Sequence, residues 1–285
     1  MINALTVDVE EYFHVMAFEK VIDPADWDNL QSRVMYTIPR ILELFGEYGV
    51  HGTFFVLGWV AERHPSLVKN IVLHGHEVAS HGYGHRLVPR LGPDAFRADI
   101  RKSKKIIEDI TGSKILGYRA PSYSITRNCL WAFDILQEEG FSYDSSLFPI
   151  HHDLGGMPGA MRFPHWLEWG GGRILEFPFS TVKIGSLVLP VAGGGYMRLV
   201  PAWVTALGID RINNYDRQPA ALYFHPWEID PEQPRVRSSL LSRFRHYQNL
   251  RSTIRKIEVI LGKFQFAPMK DIIDKIRTNL EVFKV

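Results

Sequence analysis

Cysteine is nearly missing from this 285-residue chain, where Cys129 stands alone. An internal disulfide is excluded, and a reducing compartment is the fitting one. Long apolar runs are missing too. No stretch nears the roughly eighteen uninterrupted apolar residues that a membrane span needs. The opening "INALTVDVEEY" has no basic region, apolar core and small-residue cleavage site in succession. These absences set a cytoplasmic location as the expectation. A strong charge of one sign is also absent. The formal net charge is +2, which gives no overall basic character of the kind nucleic acid selects. No repeat, low-complexity run or long linker interrupts the chain.

What is present is an ordinary globular balance, 46% hydrophobic and 22% charged. A chain this long buries a sizeable core without covalent staples. Short β-rich runs recur and often end in a polar residue. They read "ALTVDVE" (4–10), "GTFFVLG" (52–58), "EVASH" (77–81), "ILGYRAP" (115–121), "FSYDSS" (141–146), "ILEFPFS" (174–180) and "ALYFHPW" (221–227). Helical spacing fills several intervals, at 37–50, 65–75, 95–112 and 128–140, the last with Asn128 as its expected cap and Gly140 as its stop. Strand alternating with helix predicts an α/β fold with a parallel sheet. Seven such strands suit a (β/α) barrel. There the active site lies where the strands end, so Asp8, Glu10, His81, Arg119, Asp144 and His225 are expected on one rim. After about residue 231 the rhythm changes to a basic, helical pattern. The expected division is a catalytic domain at 1–231 and a helical extension at 232–285 packed on it. That extension is either a solvated face or a surface for an anionic partner or lipid head group.

Asp8 and Glu10, two apart on a strand, point to one face. Two such carboxylates repel unless a cation or an arginine lies near. They are either solvated acids at a strand end or part of a charged site. In "HGYGH", His81 and His85 reach one ion if Gly82 and Gly84 allow a tight turn. Two imidazoles and one carboxylate form a common catalytic metal set. Arg119 pairs readily with a carboxylate, and His225 is a candidate acid or base.

The ordered set D-x-E, "SHGYGH", "RAPS" and "FHPWE" resembles the polysaccharide deacetylase family, the NodB-homology or carbohydrate esterase family 4 enzymes. The phrases "TVDVEEYFHV", "GGGYMRL" and "FHPWEIDPEQPR" resemble a subgroup that accompanies bacterial exopolysaccharide and exosortase gene clusters. The resemblance implies a distorted (β/α)7 barrel and a divalent metal, with zinc the first choice and other divalent transition metals open. It implies Asp8 as catalytic base, Glu10, His81 and His85 as metal ligands, and Arg119 as the group orienting the base. Ser122 would lend a backbone N–H to the oxyanion, His225 would be the acid, and Asp144 would tune His225. Most relatives carry adjacent aspartates on the first strand, so Glu10 and Glu11 both stay open as the metal carboxylate. The implied reaction removes N-acetyl groups from an amino sugar of an exopolysaccharide or its precursor. The implied partners are an N-acetylated saccharide and, peripherally, the inner membrane or the exopolysaccharide synthesis machinery; nucleic acid is not among them. A related amidohydrolase acting on a small amide, allantoinase-like, and an inactive saccharide-binding protein are the alternatives. Outside the set, His74, His76, His151, His152, the stretch "AGGGYMR" and Trp166, Trp169 and Trp227 are secondary candidates for metal or sugar contact.

Overall fold

The computed structural model describes residues 1–153 and 155–285. The first half alternates as expected. Its strands are β1 (Ile2–Val9), β2 (Thr53–Val56), β3 (Glu77–Ser80), β4 (Gly117–Tyr118) and β5 (Tyr143–Asp144). Between them lie α1 (Val34–Glu47), α2 (Gly58–Arg63), α3 (Pro65–Leu73), α4 (Val88–Thr111) and α5 (Trp131–Glu138). The second half is less regular. A hairpin of β6 (His165–Trp169) and β7 (Gly172–Glu176) is followed by a separate hairpin, β8 (Thr181–Ile184) with β9 (Leu187–Pro190). Then come α6 (Gly194–Leu199), α7 (Ala202–Asn214) and β10 (Ala221–Phe224). The chain continues through α8 (Leu240–Tyr247), α9 (Leu250–Leu261), β11 (Gln265–Ala267), α10 (Met269–Ile276) and β12 (Val282–Lys284). No helix among the described residues is long and apolar enough to cross a membrane.

The main sheet runs β10-β1-β2-β3-β4-β5-β7-β6-β12, and β11 pairs with the start of β1. All pairings are parallel except β6 with β7. β2 and β3 are buried along their whole length, as parallel strands covered on both faces must be. The sheet also wraps. Arg119, just past β4, bonds Asp8 on β1 at 2.6 Å, although three strand spacings, about 14 Å in a flat sheet, separate those strands.

The expected barrel has this curvature, but its ladder does not close. Between β7 and β10 the chain crosses the gap irregularly. Phe177 donates to Asp144 O, Phe179 donates to Leu147 O, and Ser180 Oγ accepts from Ala221 N–H. Hydrogen bonds that a further strand would supply are made piecemeal. The extension likewise holds more than helices, since β11 and β12 both join the sheet. The expected Asn128 cap moves: Thr126 Oγ1 accepts from Asn128 N–H and caps a short turn at Arg127–Cys129, ahead of α5.

Register fixes the rim. Val9 lies beside Val56, Val56 beside Ser80, Ser80 beside Tyr118, Tyr118 beside Asp144, and Val7 beside Phe224. The residues that follow each strand therefore emerge at one level, and His81, Arg119 and His225 are among them.

Candidate active site

Asp8 is buried and held by the equally buried Arg119, whose Nη1 also donates to Thr6 Oγ1 at 2.9 Å. The guanidinium's other nitrogens donate to Ser145 O and Ser145 Oγ at 3.2 and 3.0 Å, and its plane lies over Phe55. A planar fork whose three nitrogens are all engaged is held against Asp8. The Asp8 carboxylate is thereby aimed.

Glu10, His81 and His85 each offer one ligand atom, and these atoms all lie within 4.8 Å of one another. All three residues are buried. His85 Nε2 is 2.6 Å from Glu10 Oε2. His81 Nδ1 donates to Arg119 O at 2.8 Å, since a carbonyl can only accept. That bond fixes the tautomer and leaves the Nε2 lone pair for an ion, the outer-shell pattern of a ligating histidine. Burial pushes His81 down to about 4, so the imidazole is neutral, as ligation requires. Burial would raise the Glu10 carboxyl, but His85 and then His225 outweigh it and hold it well below the usual carboxylate range. Two imidazoles and one carboxylate fit a divalent cation. Glu11 is committed elsewhere. Its carboxylate accepts the N–H groups of Arg33 and Val34 at the start of α1 and the Ser32 hydroxyl. Of the two candidate carboxylates, only Glu10 faces the histidines.

The tight turn expected in "HGYGH" is real but is not self-supporting. Gly82 adopts φ 71 and His85 φ 51. Asp99, from α4, accepts Tyr83 N–H at 2.7 Å and Gly84 N–H at 3.2 Å, and a Cβ on Gly82 would sit 2.8 Å from its Oδ2. Asp99 was not a sequence candidate. Only its place on the buried side of α4 could have pointed to it.

His225 follows β10, with Nε2 3.6 Å from Glu10 Oε1 and 4.0 Å from Asp8 Oδ2. Its Nδ1–H donates to Glu228 Oε1 at 2.6 Å, which leaves Nε2 facing the carboxylates. Burial pushes the imidazole down, but Glu10, Glu228 and Asp8 outweigh it and lift it to about 9. Glu228 Oε2 in turn accepts Arg198 Nε–H at 2.7 Å. Arg198, also buried, donates to the carbonyls of Arg245, His246 and Gln248 at the end of α8. Trp227 lies between the His225 and His246 rings and donates Nε1–H to Glu10 Oε1 at 3.1 Å. Glu228 and Arg198 were missed in the sequence. The H-P-W-E spacing was a signal for the first, because position i+3 is where a carboxylate reaches back across a helical turn.

Asp144 does not meet His225. Its carboxylate takes Ser146 N–H and Ser146 Oγ–H at 3.0 and 2.6 Å and pairs with Glu176, so the place expected for it is held by Glu228. Burial and then Asp144 push the Glu176 carboxyl well above its ordinary range. Ser122 lies at the cleft with φ 54. His76 is a core residue against Phe45 and Phe54, and His74 closes α3 by bonding Asn70 O. Trp166 and Trp169 bond Arg277 O and the Asp134 carboxylate instead of facing the cleft, whereas Trp227 and His152 line it. The glycines of "AGGGYMR" bring backbone against the Tyr223 ring, where a Cβ on Gly193 would fall 2.1 Å from Tyr223 Cδ1. That close approach aims Tyr196 at the cleft and Arg198 at Glu228.

The cleft has a volume of about 410 Å³, with Asp8, Glu10, His81, His85 and His225 at its base and Tyr123, Phe148, Tyr196, Tyr223 and Trp227 along its walls.

Residues 28–139 match the polysaccharide deacetylase family, and residues 145–274 match a domain of unknown function, DUF3473. A Helicobacter pylori protein named peptidoglycan deacetylase is 35% identical over 117 residues, 41% of this chain and 38% of that protein. A Bacillus cereus protein named peptidoglycan-N-acetylglucosamine deacetylase is 30% identical over 140 residues, 45% of this chain and 50% of that protein. The chain thus spans half or less of the length of these relatives. A solved structure from Mycobacterium smegmatis, provisionally named a polysaccharide deacetylase, superposes with a TM-score of 0.63 at 21% identity, covering 97% of this chain and 91% of that one. That likeness places the wrapped, mostly parallel sheet among known folds.

Proposed function

Since the chain carries a polysaccharide deacetylase domain of the NodB type, we propose that it hydrolyses the N-acetyl group of an amino sugar, releasing acetate. The observation that supports this most is the meeting of Asp8, Glu10, His81, His85, Arg119 and His225 at the base of one aromatic-walled cleft. Residues 1–231 would form the catalytic unit, with 232–285 completing it. A bacterial exopolysaccharide or its precursor is the proposed substrate, and the cytoplasm the proposed location.

Glu10, His81 and His85 would hold a divalent ion, zinc first among the candidates, which when bound polarises the acetamide carbonyl and acidifies a water. Asp8, fixed by Arg119, takes a proton from the attacking water. As the water oxygen bonds the acetyl carbon, the carbonyl oxygen becomes an oxyanion met by the Ser122 backbone N–H, a contribution of about 3–4 kcal/mol where such donors have been removed. His225, kept protonated and turned by Glu228, gives its Nε2 proton to the sugar nitrogen. The C–N bond breaks, and the products are a free amine and acetate. Aromatic walls suit the apolar faces of sugar rings, while the polar base fixes the acetamide.

The test is acetate detection across a panel of N-acetylated saccharides, using metal-stripped and zinc-reloaded protein. Release that needs the ion is the expected result. Release from none of the panel, with the metal demonstrably bound, would remove this reading.

A further inference from the structure

The helix that closes the cleft is exposed in an unusual way. Leu241, Ser242 and Arg245 of α8 line the cleft together with Val15, Met16 and Ala17. Inward, α8 buries only His246, against Phe18 and Trp227. Outward, Leu240 is 82% exposed, Leu241 59% and Phe244 60%. Positions i, i+1 and i+4 share one helical face, so three large apolar side chains form a patch that continues into the cleft rim at Leu241.

The charge carried by this segment is of one sign. Residues 233–257 contain six arginines, one lysine and no aspartate or glutamate, in a chain whose net charge is +2. Arg235, Arg237, Arg243 and Arg245 are all exposed. One acid touches them: Asp153 lies 3.4 Å from Arg245, and both are open to solvent. A hydrated polyanion would need the arginines but gains nothing from Leu240 and Phe244. A second copy of the chain would bring its own cationic face against this one. A bilayer with anionic head groups matches both features, because arginines meet the phosphates while the apolar residues enter the acyl boundary.

We infer that α8 docks the protein on an anionic membrane surface with the cleft mouth at the lipid interface. Saccharide carried on or made at that surface then enters the cleft past Leu241. The docking does not depend on the deacetylase reading and is tested without it.

The full-length protein is co-sedimented with vesicles of phosphatidylcholine alone and of phosphatidylcholine mixed with phosphatidylglycerol. Binding is expected only to the mixture and weakens as salt rises. L240D/F244D and R237E/R243E should each lower the partition at least about tenfold. None of these four residues lines the cleft, so thermal unfolding and zinc uptake stay at the parent values. Three results would overturn the inference: no partition that depends on phosphatidylglycerol; binding untouched by L240D/F244D and displaced equally by soluble dextran sulfate, which marks a polyanion surface; or a dimer that L240D/F244D splits, which marks a self-contact.

Discussion

Residues 28–139 supply His81, His85 and Arg119, while residues 145–274 supply His225, Glu228 and Arg198. In the first segment Arg119 is fixed by Ser145 and Thr6, His81 by a backbone carbonyl, and the histidine turn by Asp99 of α4. In the second, His225 is fixed by a chain of charges, through Glu228 to Arg198, that ends on the carbonyls of α8. A site anchored in strands tolerates change outside the sheet. A site anchored through a buried ion pair depends on each partner, because removing one leaves the other uncompensated.

The sharpest break is His81→Ala. Bound metal and acetate release should vanish together, read by elemental analysis and the release assay. His225→Ala should separate the halves: metal content stays at the parent level, while turnover falls by about 10²–10⁴. Glu228→Gln removes the charge that turns and protonates His225 but keeps the shape. Turnover should fall, by less than the about 10²–10⁴ expected for loss of His225 itself, with metal content unchanged. Equal activity in this variant would mean that His225 needs no charged partner.

The smallest effect lies beneath the rim. Burial and the neighbouring Asp144 raise the Glu176 carboxyl in the folded state. The folded chain therefore binds this proton more tightly than the unfolded one. Its contribution to stability is full below the ordinary carboxyl range and is lost as pH rises through the raised value. Glu176→Gln should flatten the decline in thermal stability between acid and mildly alkaline pH, measured by melts across that range.

Every strand that carries the candidate chemistry was legible, because each ends an apolar run with a residue that has no reason to be buried alone. Asp8, His81, Arg119 and His225 stood out on that ground. Glu228 and Arg198 did not, since a glutamate and an arginine 30 positions apart are ordinary surface residues until folding pairs them. Asp144 misled for the converse reason. It ends a strand on the rim but is consumed by Ser146 and Glu176. β11 and β12, three residues each, are too short for any period to show. The gap between β7 and β10 was invisible because irregular backbone has no hydrophobic rhythm.

β1 sits between partners made at very different times. β2 follows it within fifty residues, but β10, which covers its other edge, begins at Ala221. On a ribosome adding roughly 5–20 residues per second, that flank stays bare for about 10–40 s. Asp8 and Glu10 thus emerge well before His225, the histidine that completes them. A growing chain must shield this open border from other strands, and the cluster closes only once β10 and His225 have been added.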